Sequence, residues 1–217
     1  IKTDGELTPG KNFIDNYLDA FFTLEIQMKF QETSGSTTKQ VIFGNDVDIT
    51  VEVNDTPKLE VTKKLVAHRR TSKKIEYLVT VKALGGQVKN IVLEDTLTIL
   101  RGGVEANVMD PNYIKLVDAV KVTVPVPGGN GKTFRYEKTL TGTDIRDGKF
   151  KLALTDLVLE PGETATIKYF LNVDNDKMFE GAIQSMSHKV LNTIKATGKD
   201  VSDNEVSKSA SAEGWCG

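Results

Sequence analysis

Soft metal ligands are nearly missing from this chain. Its 217 residues include one cysteine, Cys216, and two histidines, His68 and His188. That excludes an intrachain disulfide and leaves no thiolate and imidazole set for a structural metal. An excess of one charge is lacking too: 28 Lys and Arg stand against 30 Asp and Glu, a formal charge of −2. With no basic block to attract a phosphate backbone, nucleic acid is not an expected partner. No apolar run approaches the roughly 20 residues that cross a bilayer, so no membrane insertion is expected within this segment. A secretory leader is not recognisable, and a chain that opens on Ile1 reads as a mature or excised piece. No Ser/His/Asp or Cys/His constellation stands out, so neither a turnover enzyme nor a cofactor is expected here.

What is present suits a core. Hydrophobic residues make up 39% and charged residues 27%, close to globular averages. Helical periodicity is scarce, whereas period-two alternation recurs in TLEIQMKF (23–30), VIFGNDVDITVEV (41–53), KLEVTKKLV (58–66), KIEYLVTVKAL (74–84) and VKNIVLEDTL (88–97). It continues in AVKVTVPV (119–126), KTFRYEKTL (132–140), KFKLAL (149–154), TIKYFLNV (166–173) and KVLNTIKATG (189–198). Gly85-Gly86, Gly102-Gly103, Pro127 to Gly131, Asp147-Gly148 and Pro161-Gly162 punctuate them as turns. About ten short strands rich in Val, Ile, Thr and aromatics predict an all-β, antiparallel, immunoglobulin-like β-sandwich.

An internal repeat divides the chain. Leu7-Thr8-Pro9-Gly10 recurs as Leu159-Glu160-Pro161-Gly162, and strand 23–30 aligns with 166–173. Residues 1–55 are therefore read as the C-terminal part of a preceding domain and 57–205 as a complete one, joined by a stiff Asn54-Asp55-Thr56-Pro57 link. The competing explanation is a common turn plus a chance strand match. Residues 206–217, rich in Ser, Lys, Ala and Glu, are read as a polar tail.

Strand parity puts three polar residues on apolar faces. Lys63 falls with Leu59, Val61 and Leu65; Asp95 with Ile91, Leu93 and Leu97; Asn192 with Val190, Ile194 and Ala196. Buried singly, each is costly. Grouped, they have a chemistry: desolvation favours a neutral lysine amine and a protonated carboxyl group, and an amine beside a carboxamide is a nucleophile beside an acyl carbon. With Asp95 relaying the proton, the product is a Lys63–Asn192 isopeptide bond, formed once with loss of ammonia. The bland alternative is that Lys63 snorkels to solvent while Asp95 caps a turn and Asn192 fills a bulge.

The segments LEVTKKLV, IEYLVTVKA, NIVLEDTL, LEPGETATIKY and VLNTIKATG resemble the conserved tandem repeat domain of bacterial and archaeal surface proteins. The matching positions are Lys63, Tyr77 with Val81, Asp95-Thr96-Leu97, Pro161-Gly162 and Asn192-Thr193. The chain is also similar to collagen-adhesin-type domains of Gram-positive surface proteins, in which Lys, Asp and Asn form an intramolecular isopeptide bond. The likeness spans about 57–200; the Asp-Thr-Leu motif lacks its usual following proline, and roughly 100–148 reads as an insertion. The resemblance implies a structural stalk or adhesin module of an extracellular, prokaryotic cell-surface or pilus-like protein, with neighbouring repeats as partners. The alternative function is recognition of a host protein or glycan through loops and the 100–148 insertion, using Tyr113 and Tyr136.

Weaker signals remain. Asn45 shares the face of Val41, Phe43, Val47 and Ile49 and is a candidate acceptor for the preceding domain, with Lys11 as a possible substitute donor. Asp174, Asn175, Asp176 and Glu180 lack calcium-loop spacing, and Pro127 to Lys132 lacks that of a phosphate loop. His68, Arg69 and Arg70 with Lys73 and Lys74 read as a solvated basic hairpin.

Overall fold

The computed structural model describes residues 36–43, 47–54, 56–69, 73–101, 103–140, 145–179 and 188–216. Two strands, β1 (Ser36–Phe43) and β2 (Val47–Asn54), form an antiparallel hairpin of their own. The Leu7 turn, strand 23–30, Lys11 and Asn45 lie outside the described residues, as does Glu180.

Eleven strands build the β-sandwich. One sheet runs β3 (Lys58–Arg69), β4 (Lys74–Leu84), β11 (Thr164–Val173), β7 (Ile114–Pro125) and β8 (Phe134–Leu140). The other runs β13 (Glu205–Cys216), β12 (His188–Lys199), β5 (Val88–Arg101), β10 (Lys149–Leu159) and β9 (Ile145–Arg146). Every ladder is antiparallel. The fourteen-residue β5 is long enough to pair with β12 on one side and, on the other, with β10 and then the short β6 (Val104–Asn107). Alternation does the sorting. In β4, Ile75, Tyr77, Val79, Val81 and Ala83 are all buried and the residues between them face outward. The inward faces of both sheets merge into one apolar core. A single helical turn, α1 (Asn175–Met178), follows β11 and is capped by Asp174, whose side chain accepts from the Lys177 N–H.

One expectation is corrected. Residues 205–216 are not a tail but strand β13, paired with β12 residue for residue from Glu205 to Cys216. Composition misled because the core-side parity of β13 carries mainly small groups, interrupted by the exposed Lys208. Ala212 is buried, Val206 and Ala210 partly so, and a Cβ on Gly214 would overlap the Leu65 side chain. Glu205, Ser207, Ser209, Ser211 and Glu213 occupy the opposite face, so no apolar run advertises the strand. The 100–148 segment is built into the sandwich. It supplies β7, next to β11 within the sheet, with Val117, Val120, Val122 and Val124 fully buried.

Candidate functional site

Four strands deliver one buried polar cluster. β3 and β11, from one sheet, carry Lys63 and Tyr169; β5 and β12, from the other, carry Asp95 and Asn192. Asn192 lies opposite Leu97 in the β5–β12 ladder and Ile194 opposite Asp95, so Asp95 and Asn192 are diagonal neighbours on the same inward face. Across the core, β4 separates β3 from β11, and its Tyr77 sits opposite both Leu65 and Tyr169. The Lys63 side chain therefore reaches over Tyr77, its Nζ 4.8 Å from that ring's centre and 5.2 Å from that of Tyr169. Tyr169 in turn packs on Phe150, with ring centres 5.6 Å apart. Aromatic faces thus wall the cluster from water, and the side chains of Lys63 and Asp95 have no exposed surface.

The hydrogen bonds assign each atom a neighbour. Asp95 Oδ2 accepts from Lys63 Nζ and from the Tyr169 hydroxyl. Its other oxygen, Oδ1, accepts from Asn192 Nδ2 at 2.6 Å. The second Nδ2 hydrogen goes to the Thr96 carbonyl at 2.9 Å, and Asn192 Oδ1 accepts from Tyr169 at 3.3 Å. Lys63 Nζ also donates to the Tyr169 oxygen at 2.6 Å. One carboxylate thus faces two nitrogens, with one oxygen for the lysine amine and the other for the carboxamide nitrogen. The amide is oriented at both ends.

Burial shapes the ionisation. Desolvation drives the Lys63 amine below its usual range, and the adjacent Asp95 charge only partly opposes it. Tyr169 is pushed well above the ordinary phenol value, first by burial and then by the neighbouring carboxylate, so its hydroxyl stays protonated as a donor. Moving the proton from Lys63 to Asp95 converts a buried ion pair into a neutral amine and a neutral acid, relieving the desolvation of two charges.

The three residues singled out by parity are therefore together. Tyr169 is the member that sequence reasoning missed. Its parity with Ile167 and Leu171 marks it as inward, but an inward tyrosine reads as core until the polar groups opposite it are known. Other candidates fall elsewhere. Asp174 caps α1, and Pro127 to Lys132 forms the turn between β7 and β8, closed by the Val126 N–H donating to the Thr133 carbonyl. The His68 ring stacks on Phe179, which stacks on His188, so this residue packs inward rather than lining a solvated patch. Tyr113 and Tyr136 are partly buried against the core. No helix among the described residues is long and apolar enough to cross a membrane.

No protein-family model matches the sequence, and no curated protein matches it significantly. Solved structures do resemble the fold, among them bacterial surface adhesin and pilin domains. The collagen-binding subdomain of the Enterococcus faecalis surface protein ACE is 8% identical, with 74% of this chain and 98% of that one covered at a TM-score of 0.37. A variant of BcpA, the major pilin subunit of Bacillus cereus, is 14% identical, with 83% and 47% covered at 0.40. A family 123 glycoside hydrolase from Clostridium perfringens is 11% identical, with 72% and 27% covered at 0.35. Likeness at this level carries neither ligand nor mechanism across to this chain.

Proposed function

We propose that this chain is a structural stalk or adhesin module of a prokaryotic cell-surface or pilus-like protein, stiffened by an autocatalytic isopeptide bond between Lys63 and Asn192. One observation carries the reading: Asp95 presents one oxygen to the lysine nitrogen and the other to the carboxamide nitrogen inside a dry core. A merely structural ion pair needs no carboxamide bonded to the same carboxylate.

The step balances. Lys63 gives a proton to Asp95 Oδ2, and the freed lone pair on Nζ forms a bond to Asn192 Cγ while the carbonyl electron pair moves onto Oδ1. Collapse restores the carbonyl and breaks the bond from Cγ to Nδ2. The departing nitrogen collects a proton through Asp95 Oδ1 and leaves as ammonia. The surplus proton on Nζ ends on Asp95, which finishes as a carboxylic acid. The linkage joins β3 of one sheet to β12 of the other, so tension on the sandwich is borne by a covalent bond between its layers. A ligand-binding role for the 100–148 region has less support, because β7 is interior and Tyr113 and Tyr136 pack on the core.

Intact mass in denaturant tests the proposal. The expected result is a chain lighter than its sequence by one ammonia, with the full mass returning in Lys63→Ala and Asn192→Ala. A folded wild-type chain of full mass overturns the bond.

A further inference from the structure

The phenol of Tyr169 touches every reacting group yet appears nowhere in the lysine, aspartate and asparagine scheme. It has one hydrogen and two acceptors in reach, Asp95 Oδ2 and Asn192 Oδ1, while its own oxygen accepts from Lys63 Nζ. Which acceptor receives that hydrogen depends on the proton state of Asp95. Against an ionised Asp95, the phenol donates to the carboxylate, the stronger acceptor, and the contact to Asn192 stays long at 3.3 Å. Once Asp95 Oδ2 takes the proton of Lys63, that oxygen becomes a donor. The Tyr169 hydrogen is then free to turn to the carboxamide.

Resting on the crosslinking reading above, we propose that Tyr169 is a catalytic residue of that step: its hydroxyl donates to Asn192 Oδ1 as the tetrahedral oxyanion forms, and the proton transfer that makes Lys63 a nucleophile is what releases it to do so. Activation of the attacking amine and assembly of the oxyanion donor become one event. The environment makes such a donor necessary. Asn192, Asp95 and Tyr169 are each 0% exposed, so no bulk water reaches the carbonyl oxygen as charge develops on it. The geometry is also preorganised. Tyr169 is clamped between Phe150 and Tyr77, with ring centres 5.6 and 5.7 Å away, so little reorganisation is needed when the charge appears. The raised phenol value keeps the hydrogen on the oxygen across the neutral range.

The test is a time course on the full chain, made by pulsed cell-free synthesis and sampled by intact mass in denaturant. Tyr169→Phe keeps the ring and deletes the donor; loss of ammonia should slow about 10²–10³-fold, as for removal of one oxyanion donor elsewhere. Tyr77→Phe, whose ring also lies under the Lys63 amine, should stay within a few-fold of wild type. A Tyr169→Phe chain that crosslinks at the wild-type rate overturns the role of the phenol and leaves the bond standing. A wild-type chain that never loses ammonia overturns both. If circular dichroism shows Tyr169→Phe unfolded, 3-fluorotyrosine placed at 169 strengthens the donor at almost constant shape. The rate should then change at least about two-fold, and an unchanged rate overturns the proposal.

Discussion

Replacing Asn192 by alanine removes the acyl partner while leaving Lys63 and Asp95 paired, so its energetic consequence can be worked out with and without the crosslink. The substitution deletes a charge-assisted hydrogen bond to Asp95 and a neutral one to the Thr96 carbonyl, together about 2–4 kcal/mol. If that were all, the domain would lose no more. With the bond formed, Asn192 Nδ2 has left as ammonia and those hydrogen bonds no longer count. Instead, the link from residue 63 to residue 192 closes a loop of about 130 residues, which in the chain-entropy picture restricts the unfolded ensemble by about 5 kcal/mol. The expected loss is therefore about 5 kcal/mol, which is large against the 5–15 kcal/mol typical of whole domains. It lowers Tm by about 10–20 °C for a sandwich of this size. Urea titration followed by circular dichroism measures it. The dependence on urea supplies a second signature, because a crosslinked chain exposes less surface on unfolding and has a shallower slope than Asn192→Ala. A loss of 4 kcal/mol or less with equal slopes would refute the reasoning, because the hydrogen bonds alone would then account for the site.

The remaining predictions concern Asp95, the histidine stack, the corrected strand and one glycine. Asp95→Ala should fold with the same circular dichroism spectrum, retain its full mass, and be about 3–5 kcal/mol less stable than Asn192→Ala if the lysine stays charged; loss of ammonia in this variant would rule out the relay. Burial lowers His68 from 6.5 to about 4, so between those values the unfolded chain binds a proton that the folded chain refuses. Stability should accordingly fall as pH drops from 6.5 to 4. The full shift corresponds to about 3 kcal/mol, which water reaching the half-buried ring reduces to about 1–2 kcal/mol. His68→Phe should flatten that part of the urea-midpoint profile, and an unchanged slope would contradict it. Hydrogen exchange should find protected amides through 206–214, as strand pairing requires; uniformly fast exchange there would restore the polar tail. Gly198→Ala places a Cβ 2.5 Å from Val88 Cγ1 and 3.2 Å from the Lys89 carbonyl oxygen, and should destabilise by about 1–3 kcal/mol in the same titration.

Much of the site is legible from alternation alone. In a strand the side-chain period is two, so a polar residue flanked at ±2 by apolar ones is committed to the core whichever partners it meets. Lys63 between Val61 and Leu65, Asp95 between Leu93 and Leu97, and Asn192 between Val190 and Ile194 all obey this. Tyr169 does not announce itself, because a phenol among aliphatic residues satisfies the same pattern as a purely structural ring. Strand β13 escaped for the opposite reason: two alanines and a glycine, broken by Lys208, make its inward face too slight for a periodicity signal.

Parity along the chain, then, determined which side chains leave water, and with them the β-sandwich and three of the four members of its polar cluster. It could not determine which strands are neighbours, since pairing is a long-range choice with the same alternation on every candidate. Only the tertiary structure placed β3 and β11 over β5 and β12, and so brought an amine, a carboxylate, a carboxamide and a phenol to hydrogen-bond distance. The physical reason is that isolated buried polar groups are intolerably costly, and packing that brings all four together satisfies each of them at once.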